Sequence, residues 1–217
     1  MIADLHIHST FSSDGRSTVE EIMEAAKLRG IRCVAIADHN SFSSYGTASR
    51  YEGIIAVPAE EVSSSEGHIL AYGINTEIRR GKGIGETIDM IHDAGGIAVA
   101  AHPYRWWSGL GEENVVSGFD AIEAFNARST KGSNNKASRL AKSMKKPVTA
   151  GSDAHHIDHI GEAYVELSDD ITDWEGVIKA ILDGSARTGG RHRKGGDTLK
   201  YGFKSITEWM GRGFRRM

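Results

Sequence analysis

The chain has 217 residues, 39% hydrophobic and 25% charged, with a formal net charge of −3. That length buries a full core, and the composition is that of one soluble globular domain. No apolar run reaches the roughly 20 residues a membrane helix needs, and a single cysteine, Cys33, excludes a disulfide framework and a thiolate metal site. With a first strand that starts at Ile2, no signal peptide is expected, and the protein is expected to be cytosolic.

In chain order, short apolar runs fall at 2–5, 33–37, 54–57, 69–74, 97–101, 121–125 and 147–150. Helical patterns alternate with them, which predicts βα units and a parallel sheet. The first helix carries Ser17 and Glu20 as a capping box, Val19, Ile22, Met23 and Ala26 on one face, and Gly30 as its stop. Further helices are expected near 84–94, 134–145 and 174–182. The glycine-rich "RTGGRHRKGGDT" reads as a flexible joint before a last amphipathic stretch. There Phe203, Ile206, Met210 and Phe214 would cap the barrel or meet another subunit. We therefore expect a domain over 1–186 and a basic extension over 187–217, packed on the domain or flexible. That extension holds nine Lys/Arg against two acids, a net +7, which leaves −10 on the body. Such asymmetry suits cations bound in the body and a phosphate-rich partner at the tail, or else a solvated surface helix.

Charged and histidine residues gather at the carboxyl ends of successive runs: "IADHN", "VPAEEVS", "AAHP" and "AGSDAHH". In a barrel of parallel strands those ends converge on one rim. His6 and His8, two apart on a strand, leave it on the same side and can bind one ion together. Imidazoles with carboxylates select Zn²⁺, Mn²⁺ or Fe²⁺ over Ca²⁺ or Mg²⁺. Asp14, His39, Glu61, His68, His102, Asp153 and His155 add seven more groups. Nine are too many for one tetrahedral site and would hold two or three ions if an acid bridges a pair.

The motifs "DLHIHS", "SDG", "ADHN", "PAEEVS", "GHILAYG", "AHP" and "GSDAH" run in order from Asp4 to His155. In this the sequence resembles the PHP (polymerase and histidinol phosphatase) family of metal-dependent phosphoesterases. The resemblance implies a distorted (β/α)7 TIM-like barrel with a trinuclear centre. It implies one ion on His6, His8, Glu61 and Asp153, with Glu61 bridging to a second on His68 and His102. The third would take Asp14, His39 and His155. Ala59 stands where the family's Pro-Gly-x-Glu has glycine, and Glu60 beside Glu61 is an alternative bridging acid.

The reaction implied is hydrolysis of a phosphomonoester, a nucleotide or other small ester. A water acidified by the cations attacks phosphorus in line, with His6, His8, Glu61, Asp153 and His155 as the catalytic set. Asp4 and Asp38 would orient imidazoles or serve as strand-end carboxylates. Arg105, Arg128, Asn126 and His156 are candidates to touch substrate, with Glu123 as polar support of the rim. Trp106 and Trp107 would stack on a base or pack their loop against the barrel. His92, His159 and His192 read as surface or loop residues. An exonuclease trimming 5′ ends of RNA or DNA is the alternative, favoured by the basic tail and the tryptophan pair. A metal-dependent C–N hydrolase also ends its first strand in H-x-H, but lacks "SDG", "PAEE" and "GSDAH".

Overall fold

The computed structural model describes residues 1–193. Strand β1 (Ile2–Ile7) leads into helix α1 (Val19–Leu28) and strand β2 (Ile31–Ile36); a single helical turn α2 (Tyr45–Ala48) and β3 (Ile55–Val57) follow. Then come β4 (Ala59–Ser63), β5 (His68–Tyr72), α3 (Ile84–Asp93), β6 (Ile97–Ala100), β7 (Ala121–Asn126), α4 (Lys131–Met144) and β8 (Val148–Gly151). The described chain finishes with β9 (Ala163–Glu166), α5 (Trp174–Leu182) and β10 (Arg187–Gly190).

The strands form two five-stranded sheets, β10-β9-β1-β2-β3 and β4-β5-β6-β7-β8. Both mix parallel and antiparallel pairs, so the fold is a mixed α/β one, and the ladders of the described residues do not close into the expected distorted (β/α)7 barrel. Two local causes are visible. Pro58 is the one residue between β3 and β4, and with no N–H it cannot carry a ladder across that step. The connection 64–67 is too short for a crossover, so β5 turns back antiparallel, closed by Ser64 N donating to Gly67 O at 2.9 Å. This reversal sets His68, the first residue of β5, at the same rim as the carboxyl ends of β1 and β2. The sequence reading missed β4, β9 and β10, each short and polar-edged.

The sheets are stitched at that rim by single parallel bridges, Ile7 with Ala154 and His39 with Glu61. His8 N donates to Ala154 O at 2.8 Å, Asp153 N to His6 O at 2.7 Å, and Glu61 N to Asp38 O at 3.1 Å. Every one of these joints includes a candidate ligand or its chain neighbour.

Between the sheets lies a core with Leu5, Leu70, Tyr72, Val99 and Val165, closed by Val177 and Ile181 of α5. Helices α3 and α4 cover the second sheet through Ile88, Ile91 and Leu140, and α1 covers the first through Ile22 and Met23. Each large side chain so buried contributes about 1.5–3 kcal/mol. The α1 capping box is formed by Thr18 and Glu21, with Thr18 N donating to Glu21 Oε2 at 2.8 Å, one residue later than expected. Both pairs fit the pattern. Ser17 is instead buried and accepts from Ile157 N at 3.2 Å, which leaves the cap to Thr18. Strand β10 pairs antiparallel with β9 at the edge of the first sheet. The rest of the basic extension, with Phe203, Ile206, Met210 and Phe214, lies outside the described residues.

Candidate metal centre

Strand alternation settles which acid of "PAEEVS" faces the rim. Glu61 turns inward, and its Oε1 lies 2.9 Å from both His68 Nδ1 and His102 Nε2. Its Oε2 lies 3.1 Å from His39 Nδ1, 3.3 Å from His8 Nε2 and 3.4 Å from His6 Nε2. Glu60 points to the other face, where Oε2 accepts from Ile78 N at 2.9 Å and burial pushes its pKa up to about 8.

Ligand-capable atoms within 4.8 Å of one another form four groups among the described residues: His6–His8–Glu61, His6–His102–Asp153, His39–Glu61–His68 and His8–His39–His155. Asp14 joins through Oδ2, 2.8 Å from His155 Nε2 and 3.8 Å from His39 Nε2. All nine groups therefore meet at one rim. The subdivision departs from the implied sets in three places: His102 groups with His6 and Asp153, His39 with Glu61 and His68, and His8 with His39 and His155.

The donor chemistry fits divalent transition metals. His6 Nε2 and His8 Nε2 face each other at 3.1 Å, where two bare lone pairs would repel. Burial and the nearby imidazoles of His155 and His39 hold His8 well below the usual histidine range, so its lone pair is free. Burial, then Arg105, lowers His102 to about 4, and burial lowers His39 as well. His6 is the exception: against its burial, Glu123 and Glu61 raise it well above normal. A cation accepting both lone pairs suits the gap between the two Nε2 atoms. Buried Asp14 Oδ1 and His102 Nδ1 have no hydrogen-bond partner, as expected of a donor set built for something other than protein. Despite burial, His68, His39 and His6 hold Glu61 well below the usual carboxylate range, and Arg105 and Arg128 do the same for Asp153.

Backbone strain concentrates here. His102 (φ 26°) and Asp153 (φ 52°) are left-handed without being glycine, at about 1–3 kcal/mol each. His102 is held by its N–H donating to Glu123 Oε2 at 2.7 Å, and Asp153 by its N–H on His6 O. Glu123 also lies 2.8 Å from His6 Nδ1, turning Nε2 toward the centre. Asp38 acts at one remove: it accepts from Ser9 N at 2.6 Å and Ser12 Oγ at 2.8 Å, and Ser12 Oγ lies 3.2 Å from His8 Nδ1. Of its two expected roles, Asp4 takes that of a strand-end carboxylate. Its carboxylate accepts from Ser152 N at 2.9 Å and Gly161 N at 2.7 Å, bracing backbone rather than an imidazole.

Arg105 NH2 donates to Asp153 Oδ2 at 2.7 Å and Asn126 Oδ1 at 2.6 Å, and Arg128 NH1 to Asp153 Oδ1 at 2.9 Å. These three expected substrate contacts are thus brought to the centre. His156 is not: it pairs with Asp158 at 3.0 Å and caps the turn 157–159, because the chain bends outward after His155. His92 pairs with Asp120, His159 with Glu162, and His192 rests on the Phe125 ring. The sequence reading missed Ser9 and Ser12, whose signal is only their place after "HIH". It also missed Arg193, counted with the tail. Its guanidinium is buried, with Nε donating to Glu162 Oε2 at 2.9 Å and NH2 to Ser152 O at 3.1 Å.

A family model described as PHP domain matches residues 4–57, and one described as PHP-associated matches residues 131–186. An uncharacterized protein of Methanocaldococcus jannaschii is 36% identical over 141 residues, 58% of this chain and 82% of that protein. The chain belongs to the PHP family. A second relative of this PHP protein is the phosphoribosyl 1,2-cyclic phosphate 1,2-diphosphodiesterase of Eggerthella lenta, 35% identical over 83 residues, 34% of this chain and 31% of that enzyme. The PHP fold recurs in a two-domain protein from Bacteroides vulgatus containing a predicted PHP-like metal-dependent phosphoesterase. That likeness has a TM-score of 0.73 at 15% identity, over 88% of this chain and 65% of the other. No helix among the described residues is long and apolar enough to cross a membrane.

Proposed function

We propose that this PHP protein is a metal-dependent phosphomonoesterase acting on a nucleotide or another small phosphate ester. The observation that carries the reading is the convergence of five imidazoles on the two oxygens of Glu61, with Asp153 and its two arginines beside them. Two or three ions would be held by His6, His8, Asp14, His39, Glu61, His68, His102, Asp153 and His155, with zinc, manganese or iron suited to the donors. Bound there, such ions supply Lewis-acid polarisation of a phosphoryl oxygen and a water of lowered pKa.

The chain's own groups divide the remaining work. Glu123 fixes the His6 ring, and Ser12 with Asp38 fixes His8, so both Nε2 atoms stay aimed at one point. Arg105, locked by Asp153 and Asn126, is a fixed positive charge that offsets the three carboxylates of the centre. Arg128 is the more accessible guanidinium, which supports it as the group that takes a phosphate oxygen.

The test is a metal-depleted full chain reloaded separately with Zn²⁺, Mn²⁺ and Fe²⁺ and offered p-nitrophenyl phosphate, nucleoside monophosphates, sugar phosphates and a ribose cyclic phosphodiester. Turnover that chelator removes is expected. Absence of both metal uptake and turnover overturns the reading. The exonuclease alternative draws on the nine Lys/Arg of 187–217; oligonucleotides with labelled 5′ ends belong in the same panel.

A further inference from the structure

The segment from His102 to Gly111 leaves β6 beside the centre and carries the most exposed large aromatic of the described chain, Trp106, at 77% exposure. An exposed indole on a loose loop would mean little. This loop is not loose. Arg105 N donates to His102 O at 2.9 Å, Gly109 N to Arg105 O at 2.7 Å and Gly111 N to Pro103 O at 2.9 Å. A Cβ at Gly109 would sit 2.5 Å from Arg105 O and 2.6 Å from Pro103 O, so the closure requires glycine. Ser108 O accepts from His68 N at 3.2 Å, and Gly67 packs against the Leu110 backbone. Two candidate ligands, His102 and His68, therefore anchor the loop.

Its two indoles are not equivalent. Trp107 lies under the Arg105 guanidinium, whose carbon is 5.6 Å from the ring centroid, and Arg105 is held on Asp153 at 2.7 Å. Trp106 meets Trp107 edge to face, centroids 5.4 Å apart and planes at 84°. That contact still leaves Trp106 77% exposed. Trp107 is thus a buttress whose position is set through Arg105 by Asp153, and Trp106 is a flat apolar platform fixed relative to it.

We infer that Trp106 forms a stacking subsite for the base of a nucleotide whose phosphate lies at the Asp153–Arg128 end of the centre. The occupant follows from what the span offers. A cationic end meets the phosphate, and Arg105, 2.7 Å from Asp153 and 5.6 Å from the Trp107 ring centroid, ties the exposed indole beyond it to that end. A nucleotide joins a phosphate to a planar base, and every base has a π face to lay on indole. Trp107 is a positioning residue.

This inference rests on the phosphoesterase reading for its anchoring phosphate, and the experiment separates the two. With metal-loaded full chain, kcat/KM is measured for adenosine 5′-monophosphate and for ribose 5-phosphate, and adenosine binding is followed by isothermal titration calorimetry. We expect wild type to prefer the nucleotide. Trp106→Ala should lower the nucleotide-to-sugar-phosphate ratio by about fivefold or more and weaken adenosine by a similar factor. Trp106→Phe should restore much of both. Because Trp106 is exposed, the alanine variant keeps the wild-type melting temperature. An unchanged ratio, an equal loss on both esters, or loss of a dimer with the ratio intact overturns the subsite. If no ester is hydrolysed under any metal, the phosphoesterase reading falls, while adenosine binding that depends on Trp106 still supports the platform and its absence overturns it.

Discussion

Glu123 Oε1 sits 2.8 Å from His6 Nδ1, with both side chains buried and 117 residues apart in sequence. The same carboxylate takes the His102 N–H on its other oxygen, so it sets both a side-chain ring and the strained backbone of two candidate ligands. Glu123→Gln keeps the shape and removes the charge that fixes the His6 ring. Metal affinity, read by competition with a chromogenic chelator, is expected to fall about 10- to 100-fold with the fold intact. Wild-type affinity in this variant would show that Glu123 only fills space.

Glu60 and Glu61 are adjacent and opposite. Glu61→Gln removes the charge on which five imidazoles converge and is expected to abolish stoichiometric metal uptake measured by atomic emission. Glu60→Gln leaves uptake at the wild-type level, because its side chain faces Ile78. Equal loss in both variants would contradict the assigned strand face.

The same glutamate predicts a pH effect on stability. Its folded pKa, pushed up to about 8, exceeds the ordinary value of 4.5, so the folded state holds a proton that the unfolded state releases first. Between those two values the unfolded chain binds fewer protons, and this group lowers stability as pH rises, by up to about 1.4 kcal/mol per pH unit. Glu60→Gln should therefore gain in urea midpoint over wild type from pH 5 to pH 8, at constant metal loading. A difference that is flat with pH would mean that Glu60 is charged in the fold.

Arg128→Ala leaves Asp153 with Arg105 but removes the more accessible guanidinium. A charge-assisted contact of about 1.5–3 kcal/mol predicts a fall in kcat/KM for p-nitrophenyl phosphate of roughly 10- to 150-fold. Unaltered kinetics would take Arg128 out of substrate recognition.

Gly151 lies where the two sheets touch. A Cβ there would stand 2.2 Å from His6 Cβ and 2.6 Å from His6 N, and backbone cannot give way cheaply. Gly151→Ala is expected to cost about 1–3 kcal/mol in thermal or urea unfolding and to weaken metal binding with it, since His6 must move. A variant with wild-type melting and metal affinity would mean that the sheets have slack at this joint.

Most of the candidate ligand set was legible in the sequence because its members, Asp14 and His68 excepted, follow apolar runs, and because two residues on a strand share a side whatever the rest of the chain does. His6 and His8 needed nothing more than that period. The position of α1 was equally local, although its cap was not: Ser17–Glu20 and Thr18–Glu21 satisfy the same rule, and only the contact of Ser17 with Ile157 decides between them. What tertiary structure alone decided are matters of direction and distance between remote segments. The reversal at 64–67 brings His68 to the rim from the start of a strand, and Pro58 hands the chain from one sheet to the other. Glu123 finds His6, Arg193 finds Ser152, and the indoles of 106 and 107 stay at the surface because Arg105 is drawn inward to Asp153. Residue type and spacing carry short-range geometry; these pairings depend on how two sheets meet, which no window along the chain contains.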